Sequence, residues 1–187
     1  MVAGLVGVLA ALGVVAFSPA TVIAWSSKGA SCKPAIFTRA DVTAAMGNPA
    51  AKLVLVPLAP SGIPAVSGEP PFKGKTFECD WELASGSQTG IGEGRVSLYA
   101  FATPEEASSW FTAYVGGEAP PCKKVTFTTA ACVEVVRVPG GVFPLFQATQ
   151  DRFAVWIHAK QRKLNTGPLK TLAARVLARA PRVAPAP

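Results

Sequence analysis

Histidine occurs once in the 187 residues, at His158, and there is no Cys-x-x-Cys pair. A structural zinc site takes four nitrogen or sulfur ligands at short spacings, so these absences exclude one, and no metal ligand is assigned. A Gly-x-Ser-x-Gly nucleophile turn is also missing. Any acyl-transfer triad would have to combine His158 with Asp41, Asp80 or Asp151. His158 ends an expected strand beside Lys160, Arg162 and Lys163, and reads as an exposed strand-end histidine. Nothing calls for a cofactor. Gly90, Gly92 and Gly94 have the spacing of a nucleotide loop, but they join two strands instead of opening a helix, so they read as a hairpin loop.

Charge is absent in two places. No lysine or arginine precedes the apolar run from Val2 to Phe17, which is followed by small residues up to Ala24. The run reads as a cleaved secretory signal, or else as an uncleaved membrane anchor of nearly spanning length. In either case residues 1–25 stand apart from a single extracytoplasmic domain over 26–180, with 181–187 as a disordered tail; the membrane is touched only through 1–25, and only if that segment is uncleaved. Acidic residues are missing from Arg152 onward, where there are eight basic ones; before it stand ten basic and eleven acidic residues. A solvated helix face explains that surplus; the sharper reading is a surface for anionic envelope partners, comprising Lys160, Arg162, Lys163, Lys170, Arg175 and Arg179. Nucleic acid is not expected, because the aromatics fall at core positions and do not interleave with the basic ones.

What is present begins with four cysteines, Cys32, Cys79, Cys122 and Cys132. An even number in an exported chain implies two disulfides, with three pairings open. Cys122 and Cys132 are near enough in sequence to staple a hairpin or loop, which would leave Cys32 to close a long loop onto Cys79. Cys79 lies in the most informative stretch, 77–83. There Phe77, Cys79, Trp81 and Leu83 alternate with Glu78, Asp80 and Glu82, the pattern of a core strand with one wet face.

Around it the elements read α-β-β-β-α-β-β-β-α. Thr38 caps a first helix, with Asp41 three residues on and Phe37 and Val42 placed as a hydrophobic staple. A short strand over 52–56 follows. The proline-rich connection 57–75 is either a stiff surface flap or a disordered insertion. Strands over 77–83 and 95–101 lead to a second helix capped by Thr103 and Glu106, with an aromatic stripe of Trp110, Phe111 and Tyr114. Strands are expected at 125–128, 132–138, 142–148 and 152–158. A last helix from about Thr166 buries Leu169, Leu172, Ala173, Val176, Leu177 and Ala180 and turns Lys170, Arg175 and Arg179 outward. The fold class is α+β: a two-layer, mainly antiparallel sheet of about five to six strands with three helices on one face, stapled by disulfides. Duplication of an α-β-β-β unit would give this order, though no residue-level repeat supports it.

The acidic ladder Glu78, Asp80 and Glu82 is the only cluster with catalytic or calcium-binding potential. The plainer expectation is pairing across the sheet with Arg95, Arg137 or Arg152. Cys32 ahead of Thr38-Arg39-Ala40-Asp41-Val42, the turn at Met46-Gly47, Cys79-Asp80-Trp81 and Ala102-Thr103-Pro104-Glu105-Glu106-Ala107 together resemble a family of small bacterial extracytoplasmic proteins, many of them lipoproteins. The resemblance covers 32–179. It implies a Cys32–Cys79 disulfide and a place outside the inner membrane, and supplies no catalytic residues. Gly29-Ala30-Ser31 lacks the aliphatic residue of a lipid-attachment site, so Cys32 is not expected to be lipidated. The expected function is a secreted or membrane-anchored, non-enzymatic domain binding a protein, polymer or ligand of the envelope. A hydrolase of envelope polymer using the acidic strand face is the alternative, and an inhibitor of a secreted enzyme a further one.

Overall fold

The structure, a computed structural model, describes residues 32, 35–46, 53–59, 61–64, 72–83, 93–115, 122–161 and 163–185. The expected export segment 1–25 and Arg162 lie outside them. Among the described residues three helices, α1 (Arg39–Met46), α2 (Pro104–Val115) and α3 (Gly167–Val183), accompany β1 (Leu53–Pro57), β2 (Gly74–Leu83), β3 (Gly94–Phe101), β4 (Lys123–Lys124), β5 (Ala131–Val138), β6 (Gly141–Gln150) and β7 (Phe153–Ala159). All seven strands form one antiparallel sheet in the order β1-β2-β3-β7-β6-β5-β4. The α+β class and the disulfide-stapled antiparallel sheet are as expected, with seven strands in place of five or six.

Alternation along each strand sorts the core into two faces. The first carries Cys79, Trp81, Val96, Leu98, Val155, Ile157 and Phe146, packed under the apolar stripe of α3 and under Phe37 and Val42 of the α1 region. Trp81 is fully buried, with Phe37 edge-on to it at 5.9 Å. The second face carries Tyr99, Phe101 and Ala154, packed under Trp110 and Ala107 of α2. The helices therefore lie on both faces, not on one. The aromatic stripe of α2 is as broad as that of a core helix, and alternate residues of β3, Tyr99 and Phe101, supply its partner surface. Strand order has the form two duplicated meanders would give, β1-β2-β3 against β7-β6-β5. The opposite placement of α1 and α2 departs from the two-fold symmetry such halves would have.

Local chemistry sets the element ends. Thr38 and Asp41 form a reciprocal capping box: Asp41 Oδ2 accepts from the Thr38 N–H at 2.8 Å, and Thr38 Oγ1 accepts from the Asp41 N–H at 3.3 Å. Thr103 Oγ1 accepts from Glu106 N–H at 3.2 Å, while the Glu106 carboxylate takes the N–H of Ala102 at 3.1 Å. Gly140, at φ +79°, supplies the left-handed residue of the tight Pro139-Gly140 turn between β5 and β6. The disulfides are Cys32–Cys79 and Cys122–Cys132, with Cα atoms 5.9 and 5.5 Å apart.

Several boundaries differ from expectation. The segment 125–128 is not a strand; the ladder to β5 is the two-residue β4, and Phe127 instead packs edge-on against Phe146. Of the connection 57–75, residues 60 and 65–71, on which the flap or disordered-insertion reading falls, lie outside the described residues. Ser61 bridges Thr76, Ile63 is buried in the α2 core, and β2 starts at Gly74. α3 continues past Ala180 through Pro181 to Val183, although the proline has no N–H to give to the Leu177 carbonyl one turn back. Arg152 fixes that end, donating to the carbonyl of Ala184.

Candidate functional site

α2 covers only part of the second face. At its edge and beyond it, the cross-strand register lines up two rows of mainly polar side chains. One row runs Asp80, Arg95, His158, Leu145 and Glu134; the next runs Glu78, Ser97, Trp156, Gln147 and Cys132. The acidic ladder of β2 thus finds its partners on β3. Arg95 grips Asp80 through two bonds, Nε to Oδ1 at 2.6 Å and Nη2 to Oδ2 at 3.0 Å, a fork geometry that specifies direction as well as charge. Ser97 donates to Glu78 Oε1 at 2.7 Å. Of the arginines expected opposite the ladder, Arg95 is the one that engages it. Arg152 is occupied elsewhere.

His158 is half-buried in this row, not exposed at a strand end. Burial, and then the positive charge of Arg95, hold its pKa below the ordinary histidine value against the opposing pull of Asp80 and Glu78. Its ring lies 5.0 Å from Phe143 and 5.9 Å from Trp156, centroid to centroid. His158 and Phe143 border a cavity of ≈ 330 Å³ whose other lining residues are Asp80, Trp81, Glu82, Glu93 and Gly94. Two backbone features hold it open. Gly94 leaves room that a Cβ would lose by striking the His158 carbonyl oxygen and Trp81 Cζ2. Pro144 has no N–H to give, and β6–β7 pairing runs over Leu145 to Gln150 and resumes at Val142 with Gln161, skipping Phe143 and Pro144.

At the edge of α2, Tyr114 lies beside Glu134 and Gln147. Burial, followed by the charge of Glu134, raises the Tyr114 pKa, and burial raises that of Glu134. Gln147 is fully buried, and neither amide atom makes a hydrogen bond of good geometry.

The sequence-derived basic surface is distributed differently. Arg175 and Arg179 are engaged by buried Asp41: Arg175 Nη1 to Oδ1 at 2.9 Å, Arg179 Nη2 to Oδ1 at 3.0 Å and Arg179 Nη1 to Oδ2. They clamp α3 to α1. Lys160 follows β7, Lys163 is exposed in the connection to α3, and Lys170 is half-buried in the first turn of α3. Of the aspartates weighed as partners for His158, Asp80 shares its row with Arg95 between them, Asp41 serves the arginine clamp, and Asp151 occupies the β6–β7 turn at φ +55°. Phe143, Glu93 and Trp156 were not singled out from sequence. The alternation Ala154, Trp156, His158 is the signal that places Trp156 beside the histidine.

No protein-family model matches the chain, and no curated protein does. Among solved structures it is similar to the extracellular domain of PknH from Mycobacterium tuberculosis, with a TM-score of 0.50 at 10% identity over 78% of this chain and 92% of that one. At that identity the likeness is one of fold: this chain and the PknH extracellular domain share an α+β architecture.

Proposed function

We propose that the protein is a non-enzymatic, extracytoplasmic domain that binds an envelope ligand on the uncovered part of its second sheet face. The observation that carries this is the cavity beside Asp80, where a fixed carboxylate–guanidinium pair, a neutral-favouring imidazole and the Phe143 ring meet at a gap in the sheet. A small set of oriented polar groups against aromatic walls is the usual make-up of a ligand site. Two disulfides support a location outside the cytoplasm, where such bonds persist, and the fold likeness to an extracellular domain agrees with it. Hydrolysis is disfavoured because both oxygens of Asp80 are held by Arg95 and Glu78 accepts from Ser97, so both carboxylates are already engaged within the sheet.

Soluble fragments of envelope glycan, titrated into the ¹⁵N-labelled protein, are expected to shift the amides of Asp80, Gly94 and His158. Phe143→Asp should abolish the shifts, and no cleaved product should appear. Release of reducing ends that disappears in Glu78→Gln would identify an enzyme instead.

A further inference from the structure

A second and larger cavity, ≈ 620 Å³, opens where the last turn of α3 leaves the sheet, away from the Asp80 site. Its walls are mainly apolar, with Phe77 of β2, Ala100 of β3 and Val183 at the end of α3. Its volume lies within the range of small-molecule sites. Two cations line it, Lys75 and Arg152. Among the described residues neither is paired with a carboxylate. Arg152 is held in place: its guanidinium sits 4.5 Å above the Phe153 ring, Nη1 donates to the Phe101 carbonyl at 3.0 Å and Nη2 to that of Ala184. Two of its five donors are thereby used, and the rest remain available. Glu106 is turned to the N–H of the lining residue Ala102. Gly74 keeps the wall flush, because a Cβ there would strike the Ala100 carbonyl oxygen.

We propose that this cavity binds a single-chain anionic amphiphile, its acyl chain against Phe77 and Val183 and its carboxylate or phosphate head on Arg152 and Lys75. An uncharged ligand would draw nothing from the two cations, and a cationic one would be repelled by them. A chain with an anionic end satisfies both walls at once.

The test is titration of the oxidised full-length chain with laurate, dodecyl phosphate and dodecylamine, read by calorimetry, with stoichiometry from native mass spectrometry. One equivalent of laurate or dodecyl phosphate should bind; the comparison between these two identifies the head group. Affinity should rise with chain length, by up to about fourfold per methylene, and dodecylamine should not compete. Lys75→Glu should weaken binding about tenfold. Ala102→Glu, an exposed substitution that leaves the packing of Phe77 intact, should do the same. Absence of saturable binding, equal binding of dodecylamine, or affinities unmoved by both variants would each overturn the proposal.

Discussion

His158 carries the most readable chemistry in the molecule because it is the sole histidine and its imidazole signal has no rival. Its depressed pKa predicts an NMR titration midpoint below about 6.5. Arg95→Ala removes a positive neighbour and leaves the Asp80 carboxylate unpaired, so both changes favour the imidazolium, and the midpoint should move upward. A midpoint that stays put would mean burial alone sets it. Gly94 gives a second prediction at this scale. Gly94→Ala forces a methyl into the His158 carbonyl oxygen and the Trp81 ring, and should cost about 1–3 kcal/mol in urea unfolding. The sequence showed Gly94 only as one of three loop glycines. Its requirement comes from a tryptophan on the neighbouring strand, and no local pattern carries that.

Between elements, the clamp of Asp41 on Arg175 and Arg179 is the least expected feature. Asp41 caps α1 as its position after Thr38 implies, but Arg175 and Arg179, which the helical pattern turns outward, reach back to the same carboxylate. Burial raises the Asp41 pKa, but Arg179, Arg175 and Thr38 outweigh it and hold the carboxyl well below the ordinary carboxylate range. A depressed acid adds stability that is complete above its unfolded value, about pH 4, and is lost as pH falls through the folded one. Asp41→Ala should therefore cost about 3 kcal/mol at pH 7, the lower end for breaking a buried pair, since both arginines keep some solvent. The gap between variant and parent should begin to shrink below about pH 4 in denaturant midpoints; a gap independent of pH would show that the charge is not the cause. Caps, alternation and the stripe of α3 were legible because they depend on neighbours in sequence. The placement of α2 on the second face was not, because an amphipathic helix records that it is buried and not which side buries it.

For the molecule as a whole, the two disulfides divide the stabilising work unequally. Cys32–Cys79 spans 47 residues and Cys122–Cys132 spans 10. Loop-closure entropy assigns them about 4 and about 3 kcal/mol. Replacing each pair by serines should lower the urea-derived stability in that order, and a larger loss from the shorter loop would refute the entropic account. The α+β class and the two-disulfide count were readable from composition and pattern, while the Asp80 cavity was only half so. Its acids and its arginine lie in adjacent segments, but Phe143 and His158 arrive by long-range pairing.

The sheet order has a consequence for how the chain comes to be folded. The middle of the sheet is the β3–β7 seam, where Arg95 meets His158. A chain emerging from its N-terminus builds the outer strands of one meander and then waits, with the inner edge of β3 bare, for its innermost partner to arrive almost last. Such an edge is a template for pairing with other chains, and distant contacts of this kind form slowly. Until β7 arrives that edge can pair with other copies of the chain, and α3, following on β7, closes over the finished seam.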